Sequence, residues 1–350
     1  VGSEMCIRYS FTTTRKNLPA ALELVFDAMH NSIMPQDEFD QFKKQMQVMI
    51  ESMRDKPDAL AQNAITQHFN TYPKGDPRYE YSLDESLEQL NKLTVDQVRA
   101  FYKEFGGTSR GEISIVGDFD PKTVEKIIRD DYAKYVSKAH YAPVVTEYRP
   151  VKATRVVIDT PDKENAIIVA RSVFPINDTA PDAPALTVAN WILGGGTGLS
   201  NRLIERLRQK EGLSYGAGSH VRIPAKGDNG SFVFRAIVAP QNMLQAEASA
   251  RDVIAKAIKD GFTDQEVEEA KKGLLQAMQV ARSQDDVVAR SWNDKMENQR
   301  TWVFSKKQAE AISKLTTADV NAALRKYIKP DEITFVLAGD QKKAAQKKQD

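Results

Sequence analysis

Apolar residues recur at helical spacing over Leu18, Leu22, Val25 and Met29, and this pattern predicts a helix from Leu18 to Met29. A second helix follows through EFDQFKKQMQVMIESMRD, with Pro35 and Asp37 near its start, and Pro57 opens a third, DALAQNAITQHFN. Beyond the polar loop YPKGDPRYEYS lie two short helices, ESLEQLNKL and VDQVRAFYKEF. The period then shortens: EISIVGD alternates and predicts a strand, as does the stretch from Glu4 to Thr13.

Residues 139–150, AHYAPVVTEYRP, carry two prolines and no helical period, and read as a linker. The second unit predicts strands RVVIDT and AIIVARSVF, helix APALTVANWIL, a glycine-rich turn GGGTG, helix LSNRLIERLRQK, and strands LSYGAGSHV and GSFVFRAIV. Further on come a helix from Asn242 to Asp260, a long helix from Thr263 into the 290s, two short helices and the strand EITFVLAGD. The chain thus divides into a unit at 1–138, a linker at 139–150, a unit at 151–341 and a basic tail at 342–350.

The two units share a pattern. LTVDQVRAFYKEFGGTSRGEISIVGD, starting at Leu93, precedes LTTADVNAALRKYIKPDEITFVLAGD, starting at Leu315, by 222 positions without a gap. PQDEFDQFKK from Pro35 matches TDQEVEEAKK from Thr263 at an offset of 228, and Gly2-Ser3 falls on Gly230-Ser231 at the same offset. The chain reads as one and a half copies of a module, with the first copy truncated at its N-terminus and lacking the counterpart of Arg155 to about Asn229.

Composition narrows the function classes. Lys plus Arg number 49 and Asp plus Glu 48, so no basic excess marks the chain for nucleic acid. No apolar run approaches the ~20 residues of a membrane span, and VGSEMCIRYSF has none of the features of a signal peptide. Cys6 is the sole cysteine, which excludes an intramolecular disulfide and a thiolate zinc cluster. The four histidines, His30, His68, His140 and His220, are too far apart for any H-x-x-x-H pair on a helix. They read as surface or cap residues, and no metal ligands are assigned in this chain.

The stretch GGGTGLSNRLIERLRQKEGLSYGAGS holds the candidate chemistry. Three glycines permit a tight reversal, Thr197 or Ser200 is placed to cap the next helix, and Gly212 ends it. Arg208 then falls in the last helical turn and Tyr215 near the start of the next strand. Singly, Arg208 reads as a cation at a helix C-terminus and Tyr215 as a strand aromatic. Together, a guanidinium and a phenol on adjoining rigid elements suit holding an oxyanion.

An apolar helix, a G-G-G turn, S-x-R-L and then L-R-x-x-x-G-L-S-Y resembles the C-terminal, non-zinc half of the insulinase and pitrilysin family of zinc metallopeptidases, the inverzincins. The resemblance implies an α+β fold of tandem α/β-roll modules, each a mostly antiparallel sheet with helices packed on one face. It implies that Arg208 and Tyr215 are the substrate-holding, intermediate-stabilising pair of a zinc endopeptidase. The family's catalytic modules carry H-x-x-E-H; here the matching positions, Thr187 to Trp191, read T-V-A-N-W. Glu51 in VMIES lies near the family's third-ligand position, but nothing in the chain completes its coordination. Zinc is therefore expected outside this chain, on an H-x-x-E-H module in cis or in trans, and the chain alone is expected to be inactive. The implied partner is a peptide or unfolded polypeptide substrate, and family likeness points to the periplasm. The rival reading is a non-catalytic scaffold or peptide-binding protein of the same fold, as in family members embedded in respiratory complexes.

Overall fold

The structure, a computed structural model, describes residues 8–196 and 201–346. The first part is helical: α1 (Leu18–His30), α2 (Gln36–Met53), α3 (Pro57–His68), α4 (Leu83–Lys92), α5 (Val95–Phe105) and α6 (Pro121–Asp130). Ser82 and Thr94 open α4 and α5 with reciprocal capping boxes to Glu85 and Gln97, which satisfy backbone N–H groups that a helix start leaves orphaned. Leu18 and Leu22 of α1 pack on Val124 of α6 as a small core, with Ile115 and Phe119 alongside.

Two strand expectations are corrected here. Residues 8–14 and 111–116 run without regular structure, while residues 4–7 lie outside the described residues. A strand persists only where a neighbour accepts and donates its backbone hydrogen bonds, and among the described residues no such neighbour flanks EISIVGD. Ile113 and Val116 are left exposed, as are Tyr9 and Phe11.

The second part builds one sheet. Its elements are β1 (Arg155–Asp159), β2 (Ala166–Pro175), α7 (Ala183–Asn190), α8 (Arg202–Ile204), β3 (Ser214–Arg222), β4 (Asn229–Val238), α9 (Met243–Asp260), α10 (Asp264–Ala281), α11 (Asp285–Glu297), α12 (Trp302–Lys314), α13 (Thr317–Tyr327), β5 (Thr334–Gly339) and α14 (Gln341–Gln346). The strand order is β1-β5-β2-β4-β3, with β1 parallel to β5 and every other pair antiparallel. The fold is a mixed α/β one around a mostly antiparallel sheet. The single long helix expected from Thr263 is two, α10 and α11. Ser283 ends the first by bonding its hydroxyl back to the Val280 carbonyl, which competes with the helical ladder.

The apolar run at 166–170 that opens β2 is explained by cover on both faces. Ile168, Ala170 and Phe174 enter the main core beneath α7, α9 and α13. Ile167 and Val169 point the other way and meet Ala61 and Ile65 of α3, together with Val336 and Ala338 of β5. Helices therefore cover the central strands of one face, and α3 from the first part covers those of the other.

Candidate functional site

The glycine run sits between two widened helical turns. After α7 the chain makes a π-helical turn over Trp191–Gly195, and after α8 another over Glu205–Lys210. Such turns occur mostly as single insertions and are frequent at functional sites. Gly194 and Gly195 are required by close packing: a Cβ at Gly194 would stand 2.5 Å from Ser219 Oγ, and one at Gly195 2.3 Å from Asn190 Nδ2. Thr197 and Ser200, the expected caps, lie outside the described residues; Asn201 caps α8, its side chain accepting from the Ile204 N–H at 2.9 Å.

Leu203 and Leu207 are wholly buried and anchor this segment in the core. At its end Gly212 takes φ +61°, and the Leu213 N–H donates to the Leu207 carbonyl at 2.8 Å. This closure has the logic of a glycine C-cap, one residue longer because the last turn is π-helical. It clips the helix end to the start of β3, with Arg208 directly after one end of the clip and Tyr215 two residues after the other.

Both predicted site residues face solvent. Tyr215 is 64% exposed and Arg208 is exposed in the final turn. Neighbouring cations are paired within the molecule: Arg202 with Glu266 at 2.7 Å, Arg206 with Glu211, and Lys210 with Glu205 at 2.8 Å. Among the described residues Arg208 and Tyr215 have no such partner. β3 is an edge strand, and its register against β4 slips at Tyr215: Ser214 lies opposite Val238 and Gly216 opposite Ile237. Tyr215 is thus the extra residue of a β-bulge, a device that re-aims a side chain beside functional sites.

The positions matching H-x-x-E-H do not fit zinc. The Thr187 hydroxyl donates back to the Ala183 carbonyl at 2.9 Å. Asn190 is buried and its Oδ1 accepts from the Ser219 hydroxyl at 2.8 Å. Trp191 has no ligating atom, since its indole N–H is a donor only. Glu51 forms an ion pair with Arg54 at 2.9 Å on the surface of α2. Among the described residues, no three His, Cys, Asp or Glu side chains converge closely enough to hold a metal ion.

Sequence reasoning missed the bond between Asn190 and Ser219, which joins the end of α7 to β3. It also missed Arg171. That residue lies mid-strand in β2, mostly buried, with Nε making no hydrogen bond and the guanidinium 4.8 Å over the Phe69 ring. Burial, with the neighbouring charge of Arg222, pushes its pKa below the usual arginine value. The available signal was the Arg171-Ser172 pair interrupting an otherwise apolar central strand.

No helix of the described residues is long and apolar enough to cross a membrane. Sequence and structure comparisons converge on one family. The chain is 24% identical over 261 residues to an uncharacterized zinc protease of Mycobacterium tuberculosis, covering 74% of this chain and 57% of that protein. A non-peptidase homolog of Helicobacter pylori is 21% identical over 259 residues, covering 73% and 58%. The chain therefore spans somewhat more than half the length of these relatives. A crystal structure of a peptidase M16 inactive domain from Pseudomonas fluorescens superposes with a TM-score of 0.76 at 23% identity, covering 93% of this chain and 75% of that one. The periplasmic protease PqqL of Escherichia coli superposes with a TM-score of 0.67 at 15% identity, covering 93% and 35%. The family model described as the peptidase M16 inactive domain matches residues 92–274, more than half of the sequence, and the chain belongs to that family.

Proposed function

We propose that this chain is the substrate-holding half of a zinc-dependent endopeptidase. In this reading an H-x-x-E-H module outside the sequence, in cis or in trans, holds the zinc. An extended peptide adds to the bulged edge of β3, using unpaired backbone groups there. As the scissile carbonyl becomes tetrahedral, the Tyr215 hydroxyl and Arg208 guanidinium donate hydrogen bonds to the oxygen on which charge develops. Family likeness, including the periplasmic protease PqqL, makes the periplasm the proposed location.

The observation that supports this reading is the state of the pair. Tyr215 occupies a bulge on an edge strand, and neither it nor Arg208 is used internally, although the cations around Arg208 are. A purely structural arginine at a helix end is expected to bond a carbonyl or carboxylate.

A second reading, a non-catalytic scaffold or peptide-binding protein, is favoured by the non-peptidase homolog among the relatives. Kinetics separate the two. In the complete enzyme Tyr215→Phe is expected to lower kcat by about 10²- to 10³-fold, the usual loss for one oxyanion donor, with the unfolding midpoint unchanged. An unchanged kcat would remove the pair from the mechanism, and a complete assembly without peptidase activity would favour the scaffold.

A further inference from the structure

The sheet face that carries α3 is uncovered toward β3, and there it is cationic. Arg171 of β2 lies opposite Val233 of β4, which lies opposite His220 of β3, so the three share a row and a face. Arg222 is two residues beyond His220 and therefore on the same face, and both are exposed. Beside them β3 presents Gly216 and Gly218, and nothing lies within 4 Å of where a Gly216 side chain would stand. A Cβ at Gly218 would stand 3.2 Å from the Gly194 carbonyl oxygen, so the shelf is open at Gly216, closed by backbone at Gly218, and carries three basic side chains.

The negative charges near this shelf are engaged elsewhere or make no contact. Asp58 of α3 is bonded to Arg235 at 2.6 Å. Glu80 attracts Arg171 only through space. The carbonyls of Ile65, Thr66 and Gln67 at the end of α3 already accept from the Phe69 and Asn70 N–H groups. Among the described residues the Arg222 side chain has no hydrogen bond or ion pair. A mostly buried guanidinium beside a second, unpaired one is costly unless an anion joins them.

Resting on the reading above, we infer that Arg171 and Arg222, with His220, form a subsite for a carboxylate of the bound peptide, either an acidic side chain or the free C-terminus. A carboxylate seated there would accept charge-assisted hydrogen bonds from both guanidinium groups. At ~3.3 Å per residue, His220 lies about five extended residues from Tyr215 along β3 and Arg222 about seven. The subsite therefore reads the peptide several residues away from the scissile bond, and its effect falls on binding.

Fluorescence anisotropy on the full 350-residue chain tests this with three dye-labelled flexible peptides of one sequence. One is neutral with glutamines and a C-terminal amide, one has glutamates replacing the glutamines, and one keeps the glutamines but has a free carboxylate. At least one acidic peptide is expected to bind about tenfold more tightly than the neutral one, as for hydrogen bonds to a charged group, and which one identifies the source. Arg222→Ala, on the surface, and Arg171→Met should each abolish that gain and leave the neutral peptide's Kd unchanged. Equal affinities for all three peptides, or a gain that survives Arg222→Ala, would overturn the subsite while leaving the substrate-holding reading intact. Absence of binding by every peptide would overturn both.

Discussion

Thr94 and Thr316 each open an 11-residue helix with a capping box, and each helix leads through a loop to an apolar stretch ending in Gly-Asp. Beyond the helices the two copies part. In the second, residues 334–339 form β5, buried at every position between β1 and β2. In the first, residues 112–117 form no strand, and Ile113 and Val116 are exposed. The helices follow local rules, because their hydrogen bonds and caps lie within a few residues. The strand depends on its neighbours, because half of each of its bonds is made by residues far away in sequence.

The same contrast holds for α3 and α11, which begin at equivalent positions 228 residues apart. α3 buries Ala61 and Ile65 against a sheet, while α11, lying by the irregular residues of the first copy, has no buried residue. An ion pair from Arg8 to Asp294 at 2.8 Å joins α11 to that region instead.

The largest difference between the two copies is expected in the strands. Leu337 is fully buried, so Leu337→Ala is expected to cost about 2–5 kcal/mol in urea unfolding. Its counterpart Ile115 is only partly buried, and Ile115→Ala should cost less than half as much; equal losses would mean that the first copy also has a packed strand. A smaller and matched effect is expected from the caps, where Thr94→Ala and Thr316→Ala should each cost about 1 kcal/mol.

Acid distinguishes those two caps. The box at Thr316 closes on Asp319, whose pKa is held below the ordinary 3.8 by the Thr316 hydroxyl and then by its backbone N–H; the box at Thr94 closes on neutral Gln97. A depressed carboxyl contributes stability that is intact above its unfolded pKa and is lost as pH falls through its folded one. The Thr316→Ala penalty should therefore shrink below about pH 4, while the Thr94→Ala penalty stays constant. Parallel pH profiles would contradict the assignment. The smallest effect is expected from Arg208→Ala, within about 0.5 kcal/mol of wild type as for an unpaired surface residue.

These differences also explain what the sequence disclosed. α2 and α10, and α5 and α13, have equal lengths at the offsets read from the repeat, because periodic apolar residues and Thr caps are local signals. The break between α10 and α11 carries no Gly or Pro, and was hidden in an ordinary Ser283. Asn201 does not stand out as a cap in the sequence, since its role depends on its side chain meeting the Ile204 N–H. Arg208 and Tyr215 were named through family resemblance. Their bulge and lack of partners emerge only from the pairing of β3 with β4 and from the ion pairs of their neighbours. Arg171 was concealed because its surroundings come from Phe69 and Arg222, distant in the chain.

The most direct test of the account is peptide hydrolysis measured with this chain alone plus zinc, and again after adding an H-x-x-E-H-bearing half. The account predicts no cleavage by the chain alone and cleavage once the two halves are combined. Cleavage by the chain alone, or none by the combined halves, would contradict it.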